Sequence, residues 1–285
     1  MRELRELSTL APTVGEVTDG FSLLLDAENA WRLPAVCADA GAVGPFWLAA
    51  ASLSGLGHLQ HGRTGQDSYS FALAADGAAM IVAVADGLGS RPATAQAGAV
   101  LLTRLLCLRL AGLSTPEVLA APEDAMVTAL RAANDDVRWY RDEIMPGAPD
   151  GDLATTLAFA WIPVGPGQEV IVGRVGDCAA VTLANRELSP VFPHGDGPLN
   201  IVQAALPCDE PDKALELVSL RLGGEDALSL MTDGLAEDVQ NSPAIREWLA
   251  ASWSVRCGPH QMTDILRYRR KGSHDDRTAV VVWLP

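Results

Sequence analysis

The apolar positions of this chain fall into short blocks whose period changes along its length. SYSFAL (68–73) alternates apolar and polar residues, as a strand with one buried face does, and AAMIVAVAD (78–86) is a nearly unbroken apolar run ending in an aspartate. Helical spacing follows. Over about 92–112, Ala95, Ala99, Leu102, Leu106 and Leu110 form one stripe, with Pro92 near the start. Over 122–144, Met126, Leu130, Ala133, Val137, Tyr140 and Ile144 line a second face, with Pro122, Glu123 and Asp124 suited to its first turn. PGAPDGD (146–152) breaks the chain. TTLAFAWI (155–162), EVIVGRV (169–175) and AAVTLA (179–184) then read as a meander with tight connections. After an irregular, proline-rich stretch at about 189–215, ALSLMTD (227–233) is a strand, 242–253 and 259–271 are helical, and TAVVVWL (278–284) is a strand. Successive helices between strand blocks speak against a βαβ repeat and predict stacked sheets flanked by helices.

Residues 1–43 carry two apolar runs, FSLLLDA and RLPAVCA, which fit either two strands or a loosely packed extension. GAVGP (41–45) reads as a linker. The expected organisation is therefore an extension over 1–45 and one domain over 46–285.

Charge narrows the partners. The 285 residues hold 36 Asp and Glu against 21 Lys and Arg, a net −15, which opposes broad attraction to nucleic acid or anionic lipid. Five scattered cysteines form no Cys-x-x-Cys pair, so neither a disulfide framework nor a zinc knuckle is expected. MRELRELSTL has no apolar signal core, and the apolar segment 99–112, interrupted by Arg104 and Arg109, is too short and too charged to span a bilayer. A cytoplasmic protein without a membrane partner is expected.

Aspartate recurs where strands begin or end: GQD (65–67), VADGLG (84–89), VGDCA (175–179), MTDGL (231–235) and HDDRT (274–278). A turn aspartate explains any one of these. Five that converge would repel one another unless cations lay between them. Oxygen ligands without a His/Cys set favour Mg²⁺ or Mn²⁺, and closely spaced divalent ions suit phosphoester hydrolysis. The residues alone thus reach a metal-dependent hydrolase.

The ordered blocks ASLSGLGHLQHGRTGQDS, VAVADGLGS, GDLATTLAFA, GRVGDCAAV, LSLMTDGLAE and SHDDRTAVVVW resemble the metal-dependent serine/threonine phosphatases of the 2C type, in particular their compact bacterial branch with Gln-Asp in the first motif. The resemblance covers about 46–285 and implies an α+β fold, a four-layer α-β-β-α sandwich of two antiparallel sheets. It implies two Mn²⁺ or Mg²⁺ ions, with a third as an addition. Asp86 resembles the carboxylate that bridges both metals, and the Gly87 carbonyl a ligand of the second. Asp233 and Asp275 resemble further metal carboxylates, Asp67 the early acidic ligand, and Asp152 a ligand of the third ion. Asp177 and Asp276 resemble supporting residues, with Asp276 where asparagine is usual. The implied reaction is direct attack by a metal-bridging hydroxide on phosphoserine or phosphothreonine in a protein, without a phosphoenzyme, on substrates of a cognate kinase.

Three departures accompany the likeness. Gln66 replaces the usual glutamate. The usual phosphate-binding arginine falls at Gly62, so Arg63, one position away, is the candidate. DGLG places Leu88 where histidine is usual, leaving His58, His61 or His274 as substitutes. These keep open a pseudophosphatase with a regulatory or scaffold role, and a hydrolase of small phosphoesters. Cys178 reads as a small buried residue before a nucleophile. The basic run RYRRK (267–271) reads as a solvated helix end before a phosphopeptide dock.

Overall fold

The structure is a computed structural model that describes residue 14 and residues 34–88, 92–165, 167, 169–192, 204–224 and 226–285. The run FSLLLDA lies outside the described residues. Two antiparallel sheets stack face to face. The six-stranded sheet has the order β1 (Val36–Val43), β2 (Phe46–Leu53), β11 (Arg277–Trp283), β10 (Ala227–Met231), β7 (Ala179–Ala184) and β8 (Glu187–Pro190). The five-stranded sheet has the order β3 (Ser68–Leu73), β4 (Ala79–Gly87), β5 (Thr155–Pro163), β6 (Glu169–Val175) and β9 (Glu216–Arg221).

Strand alternation assigns each side chain to a layer. On β4, Met80, Val82 and Val84 point into the core between the sheets, with Leu48, Ala158, Leu230 and Val280. Ile81, Ala83 and Ala85 face outward against α2 (Pro92–Ala111) and α4 (Pro122–Ile144). On the opposite side, Ala49, Met231 and Val281 pack under α6 (Asp233–Asn241), α7 (Pro243–Trp253) and α8 (Pro259–Leu266). The expected helix–sheet–sheet–helix order is what is found. Shorter helices α1 (Leu56–Leu59), α3 (Thr115–Ala120) and α5 (Pro211–Ala214) complete the elements.

Four expectations are revised. GAVGP is a hairpin: Val43 pairs with Phe46 across a turn in which Gly44 has φ +57°, so the paired chain begins at Val36. The strand reading of 227–233 is shortened, because backbone pairing stops at Met231 and Asp233 opens α6. The helix expected over 259–271 ends at Leu266, since Tyr268 turns inward and is buried. Finally, Thr94–Ala111 of α2 is long and apolar enough to cross a membrane, whereas the window 99–112 was expected to be too short and charged. Its apolar stripe of Ala99, Leu102, Leu106 and Leu110 is instead occupied by the protein core.

Candidate active site

Burial of both strand faces leaves polar chemistry to the strand ends, and five segments meet at one end of the sandwich. Asp86 is the penultimate residue of β4, opposite Thr156 of β5. Thr155 Oγ1 donates to the Asp86 carbonyl at 2.6 Å, which fixes the strand exit. Asp67 lies just before β3. The Gly87 N–H donates to the Gln66 carbonyl at 3.2 Å, so the first and second motifs are tied through backbone. Gly87 is required by close approach: a Cβ there would come within 2.5 Å of the Ala95 carbonyl oxygen of α2.

Asp233 begins α6 immediately after β10, and Asp275 and Asp276 precede β11. Gly234 allows these two segments to touch, since a Cβ there would stand 2.2 Å from the Asp276 carbonyl oxygen. Asp276 is buried and bonded through both oxygens. Its Oδ1 accepts from the Gly55 N–H at 2.5 Å and meets His58 Nδ1 at 2.9 Å, while its Oδ2 accepts from the Gln66 N–H at 2.6 Å. It therefore fastens the first motif to the last. Asp275 is exposed and accepts from the Asp276 N–H at 2.9 Å.

The carboxylates are electrostatically one cluster. Burial, then repulsion from Asp86 and Asp276, raises the Asp67 carboxyl well above its ordinary range, against the opposing hydrogen bond from Thr232. Burial also pushes Asp86 to about 7, with Asp275 and Asp177 adding repulsion, and Asp233 to about 8, with Asp86 and Asp275 adding to it. Asp177 is raised by burial first and in part by Asp275. Two buried oxygens, Asp67 Oδ1 and Asp177 Oδ1, have no hydrogen-bond partner in the structure. Unsatisfied buried oxygens and mutually repelling carboxylates are what hard divalent ions relieve, so the donor set fits Mg²⁺ or Mn²⁺. Ligand atoms of His58, Asp275 and Asp276 also lie within 4.8 Å of one another.

The remaining predicted residues are placed as follows. Asp152 is half-buried in a 3-10 turn (Asp150–Leu153), tied to the segment after Asp86 by the Leu88 N–H to the Ala154 carbonyl at 2.7 Å. Arg63 is exposed, and its backbone N–H donates to the His58 carbonyl at 3.0 Å. His61 is also exposed and bonds the Gly57 carbonyl through Nδ1 at 2.8 Å, whereas the His274 carbonyl accepts the Gly57 N–H. His58 pairs with Asp276, and that pairing raises its ring above the ordinary histidine range against the opposing effect of burial. Cys178 is buried beside Thr156 Oγ1 at 3.2 Å, and burial raises its thiol well above normal, so it is not a thiolate nucleophile.

Sequence reading missed two residues that organise the site. Thr232 Oγ1 donates to Asp67 Oδ2 at 2.6 Å; its place directly before Asp233 was the available signal. Asp238, on α6, accepts from Tyr268 Oη at 2.5 Å, Arg270 at 2.6 Å and Ser273 Oγ at 2.6 Å, with Arg277 Nε at 3.4 Å. Within the basic run, Tyr268 and Arg270 are thus folded onto a buried carboxylate, whereas Arg267 at the helix end and Lys271 are exposed, so the solvated helix end holds for part of the run. No local pattern marks Asp238 in the sequence.

The family model described as protein phosphatase 2C matches residues 54–267. Among curated proteins, no sequence matches. The fold is similar to that of an S. agalactiae serine/threonine phosphatase (16% identity, TM-score 0.61, covering 84% of this chain and 100% of that one). It is also similar to the Mycobacterium tuberculosis serine/threonine phosphatase PstP/Ppp (21% identity, TM-score 0.59, 84% and 98% covered). A PstP catalytic domain in complex with two manganese ions gives 19% identity and TM-score 0.57, with 83% and 97% covered.

Proposed function

This chain belongs to the protein phosphatase 2C family, and on that premise we propose that it hydrolyses phosphoserine and phosphothreonine in phosphorylated proteins. Asp67, Asp86, Asp233, Asp275 and the Gly87 carbonyl would hold two Mn²⁺ or Mg²⁺ ions, with Asp152 available to a third. When bound, such ions supply Lewis-acid polarisation of phosphoryl oxygens and lower the pKa of a coordinated water. The chain's own contribution is placement. Thr232 orients Asp67, Thr155 anchors the Asp86 backbone, and Asp276 ties the Asp275 segment to residues 55–66. Asp177 adds negative charge beside the cluster, and Gln66 supplies a backbone N–H and carbonyl that join motifs. Arg63 is the candidate for contacting phosphate from the rim.

The observation that carries this reading is the convergence of Asp67, Asp86 and Asp233, each raised by burial and by its neighbours. A scaffold would gain nothing from such mutual repulsion. The test is hydrolysis of a phosphothreonine peptide with and without Mn²⁺, beside Asp86→Asn and Asp233→Asn. Metal-dependent release of phosphate that disappears in both variants is expected. A parent protein with no metal-dependent turnover would sink the enzyme reading, and turnover surviving Asp86→Asn would sink the assignment of the site.

A further inference from the structure

A cleft of about 340 Å³ opens beside the carboxylates, lined by His58, Glu237, Asp238, Arg270, Ser273 and Asp275 among others. Its charge is mostly negative, and Arg270 is the one arginine or lysine in its wall. Asp238 receives two guanidinium groups, from Arg270 at 2.6 Å and Arg277 at 3.4 Å, so one carboxylate does not neutralise the pair. Arg277 is turned inward. It donates to the carbonyls of Leu266 and Tyr268 at 2.9 and 2.7 Å and to Ser273 Oγ at 2.5 Å, and it lies over the Tyr268 ring. Arg270 is held differently. Its guanidinium donates to Asp238 Oδ1, its backbone carbonyl accepts the Ser273 N–H, and 24% of its side chain is exposed. A guanidinium carries five N–H donors, so most of this fork remains available to the cleft.

Resting on the phosphatase reading, we propose that Arg270 binds the phosphoryl oxygens of the substrate, with Asp238 fixing the guanidinium so that its free edge faces the entering anion. A phosphate dianion approaching Glu237 and Asp275 is repelled, and a preformed cation on that path offsets the repulsion. Because Asp238 already holds one terminal nitrogen of the fork, Arg270 Nη1, little side-chain freedom is lost on binding. Arg270 is then a substrate-binding residue drawn from the basic run, on the opposite motif from Arg63.

The test uses the full chain with Mn²⁺. Arg270→Met is compared with the parent on p-nitrophenyl phosphate and on phosphothreonine peptides with and without flanking acidic residues, and inorganic phosphate binding is measured by calorimetry. Loss of one charge-assisted contact is expected to raise KM about tenfold on all substrates and to weaken phosphate binding similarly, with a smaller effect on kcat. Arg270→Lys, which keeps the charge without the fork, recovers part of the loss, and it carries the same comparison if the Met variant melts below assay temperature. An unchanged KM and unchanged phosphate affinity overturn the proposal. So does an effect confined to peptides with acidic flanks, and so does a fall in kcat and melting temperature alone. If the parent protein shows no turnover, the phosphatase reading fails by itself, while phosphate binding still decides the role of Arg270.

Discussion

Thr232 Oγ1 donates to Asp67 Oδ2 at 2.6 Å and accepts the Thr278 N–H at 3.1 Å. One hydroxyl thereby joins the entry to β3, the exit of β10 and the start of β11. Thr232→Val keeps the shape and removes both bonds, leaving a buried carboxylate oxygen and a buried N–H unpartnered. The expected loss of stability is about 1–3 kcal/mol, read by urea unfolding, together with weaker Mn²⁺ binding.

The carboxylates trade stability for ion binding. Asp86→Asn and Asp233→Asn should each reduce metal-dependent turnover by about 10²-fold or more, since each removes a preorganised charge. In chelator, the same variants should melt no lower than the parent at pH 8, because the change removes repulsion. A variant that loses activity and also melts much lower in chelator would point to misfolding.

The pH dependence follows from the same groups. Asp86 titrates at about 7 and Asp233 at about 8 in the folded chain, both above their ordinary value of 3.8. The folded state therefore holds protons that the unfolded state has released. The stability this provides is complete below the unfolded value and disappears as pH rises through 7 to 8. Metal-free protein should unfold at lower urea at pH 9 than at pH 6, and saturating Mn²⁺ should reduce the difference. No change with pH in chelator would contradict the clustering of these charges.

Close backbone approach sets the separation between α6 and the segment before β11. In Gly234→Ala, the new methyl would meet the Asp276 carbonyl oxygen and stand 3.0 Å from Asp275 Cβ. Overpacking of this kind costs about 1–3 kcal/mol. Mn²⁺ affinity and turnover should both fall, and circular dichroism should remain that of the folded chain.

Asp238 makes a larger structural contribution. Replacing it by Asn removes the charge shared by Arg270 and Arg277 while preserving size. Breaking one side of a buried ion pair costs about 3–5 kcal/mol, although the carbonyl partners of Arg277 moderate this. Chemical denaturation measures the loss.

The alternation of β4 and the stripe of α2 were legible because each reports one buried face, and SYSFAL and EVIVGRV coincide with β3 and β6. The aspartates stood out through their places beside apolar strands. What escaped notice depended on distant partners. β1 became visible only by pairing with β2, and the inward turn of Tyr268 follows from Asp238, on a different element. Helix α6 was missed because the strand reading was carried through the Asp-Gly that begins it.

The pairing of β2 with β11 has a kinetic consequence. Their register joins Leu53 to Arg277, and Asp276 reaches back to Gly55 across 221 positions. Closing so long a loop is entropically costly and is repaid only when the surrounding sheet forms. Ion binding should therefore appear late in refolding, in step with the slowest fluorescence phase. A chain stopped before Asp276 would retain Asp67, Asp86 and Asp275 without β11 and without the Asp276 bonds that hold these segments in register.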